Sequence, residues 1–267
     1  MYVALAGIAW GTGGAAGALL FRSSGLGSTA VSFWRLFGGA VWLVVACRLL
    51  RRGPLVRQFS AAPARYLLSG VGLAVCQLGY FAAIPRLGVG VSTVISLGVG
   101  PLFIALGARE RITGTLLLAV LGLALLVSDG GGGDASTAGV VFALLSGAGY
   151  ALTTLLNRDQ QDPVVSASLG FIVGAIVLLP FAGDIVPAPA SWPVLAYFGL
   201  VPTALAYALF YTGLRTIRAS TAAVIALIEP LLATAIGVLA FHERLTTLSL
   251  IGAATLLLAV LLQARRE

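Results

Sequence analysis

One carboxylate in this chain lies deep inside an apolar run. Glu229 stands about eleven residues into the stretch near 218 to 240, which as a helix places it ~16 Å along the axis, close to the middle of a bilayer. A charge at that depth costs ~2.5–3.5 kcal/mol on insertion scales, so the carboxylate must face water or a partner rather than lipid. It can bind an amine, carry a proton, or fix one helix to another. Pro230 follows it, removing a backbone donor and freeing a carbonyl one turn earlier, near Ala226. Arg35, about seven residues inside the run near 28 to 48, is set within a span as well, ~10 Å deep. It pairs with Glu229, binds a carboxylate, or snorkels to the interface. Trp10, Gln77, Tyr80, Phe81, Tyr150, Tyr207, Phe210 and Tyr211 are the candidate cavity lining. Gln77 and Tyr80 share a helix face at i, i+3, and Tyr207 and Tyr211 at i, i+4. Aromatic faces stack on planar groups or hold an ammonium by cation–π attraction, and they serve equally for packing. Gly98, Gly100, Pro101 and Pro230 are the candidate hinge or kink positions.

Positioning such residues is the task of membrane helices. Of 267 residues, 59% are hydrophobic and 9% charged, against about 25% charged in a soluble domain. Apolar runs near 2–21, 28–48, 64–84, 88–108 and 112–128 precede a polar Gly-rich stretch at 129–136, and runs near 137–156, 163–183, 191–214, 218–240 and 246–263 follow it. The expectation is an all-α integral membrane protein of ten transmembrane helices, a first five-helix unit over 1–128 and a second over 137–267. The N-terminus has no basic n-region, so the first run stays as a helix. With the N-terminus inside, the inner loops and tail hold twelve arginines, among them Arg48, Arg52, Arg65, Arg109, Arg158 and Arg215, and the outer loops hold Arg22, Arg86 and Arg244. Both termini are therefore expected in the cytoplasm of a multi-pass protein of the plasma (inner) membrane.

The two halves carry like marks. Glu110-Arg111-Ile112-Thr113 and Glu243-Arg244-Leu245-Thr246 each follow an apolar run with one proline, and setting Pro101 on Pro230 also aligns Arg86 with Arg215 and Phe81 with Phe210 without a gap. The Glu-Arg pairs need four more residues in the second copy, about one helical turn. Five helices per copy is an odd number, so the copies enter the membrane from opposite sides, as inverted repeats around a central cavity. Gly100 stands where the second copy has Glu229, so any charge chemistry is asymmetric.

Ala9-Trp10-Gly11, Trp34-Arg35-Leu36, Glu229-Pro230 and the two Glu-Arg-[Ile/Leu]-Thr segments, in this order and spacing, resemble the EamA-type transporters of the drug/metabolite transporter superfamily. The resemblance covers nearly the whole chain. It implies ten helices in two inverted repeats and export or uptake of small organic solutes, such as amino acids, metabolites or drugs, through an alternating-access cavity.

Other classes fit less well. The positive charge of +7 is scattered between apolar runs, which argues against nucleic acid. One histidine and two separated cysteines make no metal site, and no cofactor is expected. His242 is either a proton sensor or a solvated interfacial residue. A P-loop requires a lysine, which the chain lacks, so ATP is not a direct fuel. An integral membrane enzyme would need a nucleophile or acid pair at one face, and a channel-like facilitator would not need proline-broken helices. The expected function is a non-enzymatic secondary transporter, with a small molecule and the lipid bilayer as partners and protons as the candidate coupling ion.

Overall fold

The computed structural model describes residues 1–128, 136–241 and 245–265. His242, Glu243, Arg244 and the linker up to residue 135 lie outside the described residues. Helix follows helix along the chain: α1 (Tyr2–Ser23), α2 (Ser28–Leu49), α3 (Leu55–Ala61), α4 (Pro63–Gly107), α5 (Gly114–Leu126), α6 (Thr137–Asn157), α7 (Pro163–Leu178), α8 (Trp192–Gly199), α9 (Ala206–Gly213), α10 (Ala219–Ala226), α11 (Ile228–Phe241) and α12 (Thr247–Ala264). Among the described residues, eight helical stretches are long and apolar enough to cross a membrane, and α5 is a shorter apolar helix. This is an all-α membrane protein. Its lipid-facing surface shows in the exposed Leu117, Leu121, Leu250, Ile251 and Leu257, residues that a water-soluble surface would not display in such numbers.

The short α3 has no counterpart among the expected spans. A second difference concerns α4, whose 45 residues cover both the third and the fourth expected run. At 1.5 Å per residue it would reach ~67 Å, about twice the hydrocarbon thickness of a bilayer. The turn expected around residues 85–87 is itself helical, and the break is confined to Gly88 at φ 78°, ψ 163°. That conformation suits a residue without a Cβ. The run near 191–214 is likewise composite, with a π-helical turn at Leu200–Leu205 between α8 and α9. Pro202 sits within this turn and has no N–H to give the regular ladder.

Helices cross where side chains vanish. Gly38 of α2 meets Gly199 of α8, an added Cβ on Gly38 standing 3.3 Å from the Gly199 Cα. In the same way Gly174 of α7 meets Gly70 of α4, 3.2 Å from its carbonyl oxygen. Gly70 and Gly199 are 129 positions apart, as are Pro101 and Pro230; Gly38 and Gly174 are 136 apart, as are Gly11 and Gly147. Gly11 lies against Glu229 and Gly147 against Gly100, again 129 apart. Element pairing repeats this relation: α1 packs on α9, α10 and α11 while α6 packs on α4, and α2 packs on α8 while α7 packs on α4. Pairs α2 with α7 and α5 with α12 map onto themselves. Close backbone approach through glycine is how helices gain packing energy in a solvent as apolar as their side chains.

Candidate functional site

Pro230 shapes the centre of the molecule. Its ring has no N–H and collides with the carbonyl a turn earlier, so α10 ends at Ala226, Leu227 leaves helical geometry at ψ 3°, and α11 begins at Ile228. Helix α1 provides the seat for this break. An added Cβ on Gly7 would stand 3.2 Å from the Ala226 carbonyl oxygen, and one on Gly11 would stand 3.0 Å from the Glu229 carbonyl oxygen and 2.7 Å from Leu232 Cβ. Glu229 occupies the first turn of α11, where the helix terminus adds a favourable partial positive charge, and it is half-buried.

Arg35 is two turns into α2 and half-buried, with its Cζ 5.5 Å from the centroid of the Phe198 ring. Its Nε is a buried donor without a hydrogen-bond acceptor. The ion pairs among the described residues are Arg52–Asp162 at 3.3 Å and Arg158–Asp159 at 3.0 Å, so Arg35 and Glu229 interact through space without touching. Also within electrostatic reach of Glu229 are Cys76, Tyr80, Tyr150 and Tyr207.

Five of the sequence-derived residues form one aromatic cluster. The Trp10 ring centroid is 5.0 Å from those of Tyr207 and Phe210, Tyr150 stacks on Phe210 at 6.1 Å, and Tyr211 meets Tyr207 edge-on at 5.7 Å. Such tilted and edge-to-face pairs are the favoured arrangement of ring quadrupoles. Trp10 Nε1 and Tyr211 Oη are further buried groups without a hydrogen-bond partner. Tyr80 and Phe81 stand apart from this cluster. Phe81 packs on Tyr80 at 5.6 Å and on Phe21 at 6.3 Å, and Tyr80 Oη is 2.9 Å from Thr93 Oγ1. Gln77 lies half-buried on α4 between Cys76 and Tyr80. In the first half the kink residues remain helical: Gly98, Gly100 and Pro101 are buried inside α4, and an added Cβ on Gly100 would lie 2.9 Å from Tyr150 Cδ1. The aromatic ring therefore covers the position that Glu229 takes in the other half.

Sequence reasoning passed over Phe171, which packs edge-on against Tyr207 at 4.8 Å. The 136-position spacing identifies it, because Phe171 is the counterpart of Arg35. Both charged residues of the centre thus face an uncharged counterpart, Arg35 matching Phe171 and Glu229 matching Gly100.

The repeated Glu-Arg-x-Thr segments have a structural task. Thr113 Oγ1 accepts the Leu116 N–H at 3.2 Å at the start of α5, and Thr246 Oγ1 accepts that of Ser249 at 3.2 Å at the start of α12. The Glu110 carboxylate accepts the Ala219 N–H at 3.2 Å, the Ser220 N–H at 3.1 Å and the Ser220 hydroxyl, capping α10. Trp34 anchors as well, its indole N–H donating to the Ile185 carbonyl at 2.8 Å.

Comparison with known proteins agrees with this architecture. Residues 137–265 match the model of the EamA-like transporter family. An uncharacterized transporter of Bacillus subtilis, YwfM, is 31% identical over 98% of this chain and 92% of its own length. An uncharacterized transporter of Archaeoglobus fulgidus is 30% identical over 91% of this chain and 89% of its own. A solved crystal structure superposes with a TM-score of 0.78 at 17% identity, covering 99% of both chains, which is a likeness of fold.

Proposed function

The chain belongs to the EamA-like transporter family, a membrane transporter of the drug/metabolite type, and we propose that it is a secondary active exporter of small zwitterionic solutes such as amino acids. One observation carries the reading: Glu229 and Arg35 are electrostatically coupled to each other and to Tyr207 of the aromatic cluster without forming a contact ion pair. A contact pair would satisfy both charges and leave nothing for a solute. Held apart, the carboxylate accepts an ammonium and the guanidinium a carboxylate, while Trp10, Tyr150 and Tyr207 take the side chain. Trp10 Nε1 and Tyr211 Oη supply two more donors for the solute's oxygens.

Ten crossings, in two inverted five-helix repeats over 1–128 and 137–267, are the topology behind this mechanism. Setting aside the seven-residue α3, dividing α4 at Gly88 and joining α8 with α9 and α10 with α11 produces that number, and the paired glycine contacts support the two-fold relation. The arginine-rich loops then lie in the cytoplasm. Alternating access is rocking of one repeat against the other, with the α10–α11 break and Gly100-Pro101 as hinges. Glu229 holds either a proton or the solute's ammonium, so the two exchange and an inward proton gradient drives export. In proteoliposomes an acid interior is expected to drive saturable uptake of labelled zwitterions, and Glu229→Gln to abolish the response to the gradient. Uptake indifferent to the gradient, or a Glu229→Gln protein with the same pH response, would remove the coupling role.

A further inference from the structure

At the arginine-rich end of the molecule lies a polar recess of about 640 Å³, lined by Gln58, Arg65, Tyr66, Asp159, Gln160 and Asp162 among others. Its acids are occupied: Asp162 pairs with Arg52 and caps α7, and Asp159 pairs with Arg158. Just inward from it, four polar side chains from three helices close on one another. Asn157 of α6 donates to Ser69 Oγ of α4 at 2.8 Å and to the Thr153 carbonyl at 2.7 Å, and Thr153 Oγ1 donates to the Ser69 carbonyl at 2.9 Å. The Ser166 hydroxyl of α7 donates to Asn157 Oδ1. Each of the four is 1% exposed. Beyond them, Tyr211 Oη lies beside Ser69 without a hydrogen bond of its own, and the Tyr211 ring belongs to the central aromatic cluster.

We propose that this recess is the inner mouth of the transport path, and that the hydrogen-bonded group centred on Asn157 is the gate that closes it. The proposal rests on the transporter reading above. Two observations argue for it. Helical architecture does not require polar residues here. By the spacings of 129 and 136 the counterparts of Ser69, Asn157, Thr153 and Ser166 at the opposite end are Phe198, Phe21, Gly17 and Ala30, all without polar side chains. Packing also differs between the ends: a Cβ added at Gly17 would meet nothing within 4 Å, whereas the Asn157 group is sealed. The chemistry suits a surface that opens. Separating apolar faces into water loses roughly 25 cal/mol per Å², while hydroxyls and an amide exchange their internal bonds for water with little net change. A permanent seal has no use for that exchange.

Cysteine accessibility tests the gate. With Cys47→Ser and Cys76→Ser as background, Ser69→Cys and, separately, Thr153→Cys are exposed to a membrane-impermeant cationic thiosulfonate applied to one face of sealed vesicles at a time. Modification is expected only from the arginine-rich face, and about tenfold faster when Asn157→Ala is added, the change expected from losing the net worth of roughly one hydrogen bond. Modification from the opposite face, or protection of both cysteines from both faces with Asn157→Ala making no difference, would overturn the proposal. Solute uptake measured in the same vesicles separates the two ideas. Face-specific modification in a protein that moves none of the labelled zwitterions would sink the zwitterion-exporter reading and leave an inward-opening path standing.

Discussion

Removing the Glu110 carboxylate should destabilise the fold at a place remote from the central cluster. Glu110 lies within the link between α4 and α5, yet its carboxylate accepts two backbone N–H groups and a hydroxyl at the start of α10. A lost N-cap costs about 0.5–2 kcal/mol, and a hydrogen bond to a charged group about 1.5–3 kcal/mol. Two of the three donors are backbone groups in a partly buried position, so water replaces the carboxylate incompletely. Glu110→Ala is therefore expected to cost about 2–4 kcal/mol, an intermediate value because neighbouring bonds are not additive. At ~2–3 °C per kcal/mol for a chain of this size, the melting temperature falls by about 4–12 °C. Glu110→Gln keeps an acceptor oxygen and loses the charge, so roughly half the effect is expected. Thermal melting of the purified protein, followed by size-exclusion chromatography in one detergent at fixed concentration, reads both. An alanine variant within about 1 °C of the parent, or a glutamine variant less stable than the alanine one, would refute the capping role.

Gly11→Ala and Gly17→Ala form a matched pair on α1: the first meets Leu232 and the Glu229 backbone and should cost about 1–3 kcal/mol with loss of transport, while the second enters open space and should leave melting unchanged or slightly raised. On α4, Gly100→Ala should displace Tyr150 and reduce solute uptake, whereas Gly98→Ala, whose nearest neighbour is Val120 Cγ1 at 3.4 Å, should be tolerated; parallel melting and uptake measurements check both. Tyr80→Phe loses the contact with Thr93 Oγ1 and should cost about 0.5–1.5 kcal/mol by melting, with the Trp10 cluster undisturbed.

Much of this was legible in the chain because the bilayer imposes few solutions. Apolar runs, arginine placement and proline positions led to helices, and the break before Pro230 follows from the missing N–H alone. Harder to read was how runs join. Nothing local distinguishes the helical residues 85–87 from a loop, since Pro85 is tolerated and the single strained residue is Gly88. The aromatic set was recognisable as a class, but sequence does not separate Tyr80 and Phe81 from the Trp10 cluster, because that division depends on how α1 and α9 cross. Phe171 and the Asn157 group were hidden by ordinary composition, since serine, threonine and phenylalanine are common in membrane helices for packing alone. The 129 spacing of the proline alignment, together with the 136 spacing visible once glycines are seen to meet, assigns them counterparts. The Glu-Arg-x-Thr repeat suggested duplication, and among its described residues Glu110, Thr113 and Thr246 cap helices.

The central claim is that an uncompensated pair of charges in a two-fold scaffold selects the solute. Counterflow in proteoliposomes, comparing a labelled amino acid with the amine lacking its carboxylate, tests it most directly. Arg35→Gln is expected to lose exchange of the amino acid while retaining that of the amine, and Glu229→Gln to lose both. If either variant exchanges both compounds as the parent protein does, the two charges do not form the solute site and the account fails.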